Sequence, residues 1–170
     1  MWQGLFPNER CQSAYTIDYE LWYARGKRAV LFDIDNTLVR HGAPADPEAV
    51  ALFARLHEIG FRTCLISNNE KERVEPFAKA VGTQAIWKAG KPSAKNFLKA
   101  CELMGVTPKE TLFVGDQIFT DTAGARQARI TALLVKPIHP KEEFHITLKR
   151  IPEFFVLQAY EFTRRKRGNG

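Results

Sequence analysis

The sequence predicts an α/β fold, a three-layer sandwich with helices on both faces of a parallel five-stranded sheet. Three observations lead there. Short apolar runs alternate with stretches of helical spacing from residue 29 to about 135, and strict alternation implies parallel strands joined by right-handed crossovers. Polar residues collect where the apolar runs stop: Asp33 and Asp35, Ser67, and Asp116. At 170 residues the chain is long enough for one domain with a substantial core and short for two.

Residues 1–28 read as an N-terminal extension with a short helix near 17–23, ended by Gly26. Ala29-Val30-Leu31-Phe32 is short, apolar and β-prone, and reads as a buried strand that stops at Asp33. From 47 to 59 apolar residues fall at 49, 50, 52, 53, 56 and 59, a helical spacing. Asp46 is the candidate N-cap, Pro47 the first helical residue and Gly60 the stop.

A second strand, 61–66, ends at Ser67-Asn68-Asn69, and a helix follows over 70–81, closed by Gly82. Residues 84–87 form a third strand, and Pro92 opens a helix to about Met104, before Gly105. The fourth strand, 111–114, ends at Gly115-Asp116; a segment from about 120 to 129 then precedes the fifth, 130–135. Residues 141–167 read as further helix, rich in aromatics and closing on Arg164-Arg165-Lys166-Arg167. The expected division is a 29–150 core and a 151–170 C-terminal helix and basic tail.

The composition, 45% hydrophobic and 26% charged, is that of a soluble globular protein, and no apolar run approaches the roughly 20 residues needed to span a bilayer. The N-terminus lacks the basic flank and apolar core of a secretory signal, so a cytoplasmic location is expected. Cys11, Cys64 and Cys101 form no CxxC pair, which argues for reduced thiols rather than disulfides or zinc. The net charge of +6 is concentrated at the C-terminal run, usually a solvated tail but one that also suits nucleic acid or an anionic lipid surface. His41, His57, His139 and His145 show no ligand spacing; only His41 lies close after the first strand.

In an open parallel sheet, ligands sit outside the carboxyl ends of the strands, so the strand-end residues share one edge. Carboxylates converging there repel unless a cation lies among them, and oxygen-only ligands favour a hard ion such as Mg²⁺. Lys91, in the loop after the third strand, and the Ser67 hydroxyl supply a positive charge and a donor, which together suit a phosphoryl group. Each residue alone also fits a plainer role: the aspartates in a turn, Ser67 and Asp121 as helix caps, Lys91 in solvent. Coincidence at every strand end weighs against those roles taken together. Lys88 competes with Lys91 for the lysine position.

These residues resemble the haloacid dehalogenase (HAD) superfamily of phosphatases. Its opening DxDx[TV] is met by Asp33, Asp35 and Thr37, its Ser or Thr by Ser67, its lysine by Lys91, and its terminal acidic motif by Gly115, Asp116 and Asp121. The match covers about residues 29–136 and implies a Rossmann-like, HAD-like sheet. The wording DIDNTLV, ISNN, AGKP and FVGDQIFTD is similar to the YqeG-like group, which includes phosphatases resembling the mitochondrial phosphatidylglycerophosphate phosphatase.

The resemblance implies that Asp33 is the nucleophile that forms an aspartyl-phosphate and that Asp35 is the general acid and base. It implies Mg²⁺ held by Asp33, the Asp35 carbonyl and Asp116, with Asp121 beside them orienting Lys91 or a metal-bound water. Ser67 and the Asn68 N–H would hold phosphoryl oxygens, and Thr37 would brace the loop. Superfamily members that act on small metabolites commonly carry a cap domain, and here neither cap position has room for one. An open site suits a phosphate presented by something large. The expected activity is removal of a phosphomonoester such as that of phosphatidylglycerophosphate, with aromatic and basic tails suited to peripheral contact at the inner face of a membrane. A nucleotide or nucleic-acid-end phosphatase, and a non-catalytic binding protein on the same fold, are the alternatives.

Overall fold

The computed structural model describes residues 3–139, 155–161 and 163. Six parallel strands form one sheet in the order β1-β6-β5-β2-β3-β4: β1 (Glu9–Cys11), β2 (Ala29–Phe32), β3 (Arg62–Ile66), β4 (Gln84–Ile86), β5 (Thr111–Gly115) and β6 (Thr131–Val135). The expected five strands become six because the N-terminal segment adds β1 at one edge, Glu9 aligned with Leu133 and Cys11 with Val135. That strand is Glu-Arg-Cys, largely exposed, so it lacks the apolar run that marks a buried strand.

The helices are α1 (Tyr19–Ala24), α2 (Pro47–Ile59), α3 (Lys71–Val81), α4 (Ala94–Met104) and α5 (Ala123–Gln127). α2 has the predicted bounds. The Asp46 carboxylate accepts from Ala49 N–H at 2.8 Å, Pro47 needs no partner for a missing N–H, and Gly60 closes the helix at φ 109°. α4 starts at Ala94 rather than Pro92, because Ser93 is its N-cap and accepts from Lys95 N–H. Trp87 lies outside β4, and the predicted segment over 120–129 is a π-type turn, Ile118–Thr122, running into α5.

Alternation along the central strands sends side chains to two cores. Val30 and Phe32 of β2 join Leu65, Leu112 and Val114 under α1, α2 and α3, through Tyr19, Phe53, Leu56 and Phe77. Ala29 and Leu31 join Cys64, Ile66 and Phe113 under α4 and α5, through Phe97, Ala100, Cys101 and Ala125. A strand buried on both faces is what a parallel sheet covered by helices requires.

A third, smaller cluster joins the two ends of the described chain. Val156, within helical residues 155–161, is buried against Ile118 and Leu134, with Leu5, Phe6, Phe119 and Leu157 packed around it. The Phe6 and Tyr160 rings meet edge to face at 5.6 Å, and Arg10 pairs with Glu161 at 2.8 Å. The rest of the helix expected over 141–167, its basic run and His145 included, lies outside the described residues. Among the described residues no helix is long and apolar enough to cross a membrane. Between Val39 and α2 there is only a short loop, and between β3 and α4 only α3, β4 and their turns.

Candidate active site

β2 lies in the middle of the sheet, all four residues buried, between β5 and β3. Its register with β5 continues one residue further, Asp33 N–H donating to the Val114 carbonyl at 3.0 Å, so Asp33 is fixed at the strand's carboxyl end. The chain then turns back tightly. The Ile34 carbonyl accepts from Thr37 and Leu38 N–H, and Asn36, at φ 60°, donates its N–H to the Val39 carbonyl at 2.7 Å. Asn tolerates that left-handed conformation better than most residues. Its side-chain and backbone oxygens accept from His139 and Ile138 N–H, which ties this turn to the loop after β6.

Asp33, Asp116 and Asp121 are all buried, and each places a carboxylate oxygen within 4.8 Å of the others. Lys91 reaches into them from the loop after β4. Its Nζ lies 2.7 Å from Asp33 Oδ1 and 2.7 Å from Asp121 Oδ1, with the side chain 3% exposed. Lys88 points the other way, pairing with Glu70 in solvent, so Lys91 is the lysine at the carboxylates. The Asn68 side chain clamps the Lys91 backbone: its Oδ1 accepts from Lys91 N–H at 2.8 Å and its Nδ2 donates to the Lys91 carbonyl at 3.2 Å.

Asp121 sits on the π-type turn. Its Oδ1 accepts from Lys91 and its Oδ2 from Gln117 N–H at 3.2 Å, so the carboxylate is held at both oxygens. Such single π turns recur at functional sites, where the widened turn re-aims one side chain. Thr37 Oγ1 approaches Asp116 Oδ1 at 3.4 Å and so braces the loop against the β5 end. Ser67 is buried at the end of β3; its Oγ accepts from Asn69 N–H at 3.1 Å.

One ammonium shared by two carboxylates cannot fully compensate both. Asp33 is raised to about 7, chiefly by burial; Lys91 pulls it down, and Asp121 and Asp35 push it up. For Lys91 burial acts downward, but Asp121 and Asp33 together outweigh it and hold the ammonium above its ordinary value. Three carboxylates against one ammonium leave two negative charges over in a buried, all-oxygen cluster. A divalent hard cation fits that donor set in charge and in ligand type.

Asp35 stands apart from that cluster. Its Oδ1 accepts from Arg73 Nη2 at 2.8 Å and from Gly42 N–H at 2.8 Å, and its Oδ2 accepts from Asn69 Nδ2 at 2.5 Å. Asn69 and Arg73 were not singled out from the sequence. The available signal was only their place, Asn69 just after the strand-end Ser67 and Arg73 in the first turn of the helix that follows.

Residues 40–129 match the profile of the haloacid dehalogenase-like hydrolases. The chain is 30% identical over 154 residues, 90% of each chain, to the probable phosphatase YqeG of Bacillus subtilis (strain 168). Over 58 residues it is 43% identical to the phospholysine phosphohistidine inorganic pyrophosphate phosphatase of Xenopus laevis, a stretch that is 33% of this chain and 22% of that one. Among solved structures, the cobalt-bound deoxy-D-mannose-octulosonate 8-phosphate phosphatase of Haemophilus influenzae superposes with a TM-score of 0.54 at 13% identity, over 84% of this chain and 92% of that one. At that identity the likeness is one of fold.

Proposed function

Because the chain belongs to the haloacid dehalogenase-like hydrolases, we propose that it is a Mg²⁺-dependent phosphomonoesterase working through an aspartyl-phosphate. The observation that carries this reading is the Asp33 carboxylate, fixed at the end of the central strand and 2.7 Å from a buried ammonium. The YqeG relative is itself called a phosphatase.

In the proposed reaction Asp33 attacks phosphorus, and the bond from phosphorus to the alcohol oxygen breaks. A protonated Asp35 gives its proton to that departing oxygen. Water then attacks the phosphorus of the aspartyl-phosphate, Asp35 takes the water's proton, and the Asp33 carboxylate is released with inorganic phosphate. Ser67 and the Asn68 N–H hold the non-transferred oxygens; Lys91 offsets the charge that Asp33 and the phosphoryl group bring together. Asp33, Asp116 and the Asp35 carbonyl would hold Mg²⁺, with Asp121 beside them, and the bound ion would supply positive charge to the phosphoryl oxygens.

For the substrate, the favoured reading is a phosphomonoester presented by something large, phosphatidylglycerophosphate at the inner face of a membrane, with the protein peripheral to it. The support is the absence of an inserted cap among the described residues, the short loop 40–46 leaving the carboxylate edge uncovered from that side. The aromatic and basic composition of the C-terminal sequence also suits anionic lipid. The test is phosphate release, with and without Mg²⁺, from phosphatidylglycerophosphate in mixed vesicles, a nucleoside monophosphate, a 5′-phosphorylated oligonucleotide and glycerol phosphate. Mg²⁺-dependent release fastest from the lipid is expected. Fast hydrolysis of the soluble esters with none from the lipid would reject the lipid substrate; fastest release from the oligonucleotide or nucleotide would favour a nucleic-acid role.

A further inference from the structure

The carboxylate of Asp35 has four lone-pair positions, and three of them are occupied. Gly42 N–H and Arg73 Nη2 take both on Oδ1, and Asn69 Nδ2 takes one on Oδ2. We propose that Arg73 is a positioning residue for proton transfer: by holding Oδ1, it leaves one lone pair of Oδ2 as the atom through which Asp35 gives and takes its proton. This rests on Asp35 being the acid and base proposed above.

The donors come from the loop after β2, the β3–α3 connection and α3. Arg73 lies in the first turn of α3, its guanidinium 5.6 Å from the Phe77 ring. Asn69 is fixed from two sides, its N–H on Ser67 Oγ and its carbonyl accepting Lys88 N–H at 2.9 Å. Gly42 is in the loop that leaves the turn after β2. Asn69 and Arg73 therefore lock the acid to the β3–α3 connection that carries Ser67 and to the helix that follows it. A proton moving between Oδ2 and the departing or attacking oxygen needs Oδ2 to stay put, and Arg73 is the only charged side chain among the three donors.

Only one guanidinium N–H is used on Asp35, and the buried Arg73 Nε has no partner among the described residues. The contact is a single-point one. A lysine, which supplies a point charge without a planar fork, therefore suits it better than it would a bidentate pair.

The test compares two phosphate esters. An alkyl leaving group such as glycerol needs a proton as it departs; the p-nitrophenolate of p-nitrophenyl phosphate departs without one. The comparison is made in kcat/KM, which reports aspartyl-phosphate formation alone, because hydrolysis of the aspartyl-phosphate is common to both esters and also uses Asp35. In Arg73→Met, kcat/KM for glycerol phosphate should fall about 10- to 100-fold, part of the roughly 10²- to 10⁴-fold that general acid catalysis contributes, while kcat/KM for p-nitrophenyl phosphate should fall less than about 3-fold. Arg73→Lys should regain most of the lost kcat/KM on glycerol phosphate. Equal losses on the two esters, or no loss on either, would overturn the role of Arg73 and leave the phosphatase reading standing. No turnover of any phosphomonoester by the unaltered protein with Mg²⁺ would overturn both.

Discussion

A Cβ placed on Gly115 would lie 2.5 Å from Asp121 Oδ2, well inside contact distance. The last residue of β5 must therefore be glycine for the carboxylate six residues later to fold back toward Lys91. Gly115→Ala should push Asp121 off its bonds with Lys91 and Gln117. We expect a stability loss of about 1–3 kcal/mol, as for overpacking of a filled site, together with a fall in phosphate release. Thermal unfolding and a steady-state assay on the same sample check both; an unchanged melting temperature would show that Asp121 yields without cost.

Lys91 and Lys88 offer a paired control. Lys91→Met leaves buried carboxylates without their ammonium, a change of the kind that costs about 3–5 kcal/mol, and should abolish turnover. Lys88→Met removes only an exposed pair with Glu70 and should leave folding and turnover as they were. Chemical denaturation of the two variants side by side measures the difference. Comparable losses in both would remove the distinction drawn between them.

The raised Asp33 carboxyl gives a pH dependence with a definite sign. Unfolded, it ionises near 3.8; folded and without a divalent ion, near about 7. Between those values the folded state holds the extra proton, so this group's contribution to stability is complete below about 4 and is lost as pH rises to about 7 and beyond. In chelator, the melting temperature of the unaltered protein should decline over that window relative to Asp33→Asn, which has no proton to lose. Mg²⁺ should offset the decline, and its stabilising effect should grow with pH because it competes with the proton. A flat difference between the two proteins would contradict the sign.

Ser67→Ala removes a hydroxyl that is buried beside the proposed phosphoryl position and already accepts from Asn69 N–H. Loss of one such donor should lower kcat about 10²- to 10³-fold with little change in melting temperature. Because Asn69 also holds Asp35, crystallography or NMR of the variant should show the Asn69 to Asp35 contact retained. A moved Asn69 would assign the rate loss to the acid instead.

Much of this site was legible because each strand ends in a residue type that a strand interior rejects. Asp33 after Val30-Leu31-Phe32, Ser67 after Cys64-Leu65-Ile66 and Asp116 after Phe113-Val114-Gly115 are polar interruptions of apolar runs, and a parallel sheet puts such interruptions on one edge. What stayed hidden was contact between elements. Arg73 reads as one more charged residue in a charged helix turn, and only the docking of α3 beside the loop after β2 brings it to Asp35. β1 was missed for a related reason: an exposed edge strand needs no apolar pattern, so pairing with β6 alone defines it. The sequence favours Lys91 over Lys88 only by its place before Pro92; side-chain direction in the loop, which the structure shows, puts Lys91 at the carboxylates.

The cluster of Val156 with Ile118 and Leu134 bears on when the site matures. Ile118 begins the turn that carries Asp121, and it shares a cluster with Leu5 and Phe6 from the N-terminal segment and Val156 and Leu157 from residues 155–161. During synthesis every proposed reacting side chain has left the ribosome before Val156 does. The nascent chain would thus display the acids and the lysine while Ile118, at the start of the turn that carries Asp121, still lacked the packing of Val156, and competence would wait for residues 155–161 to emerge.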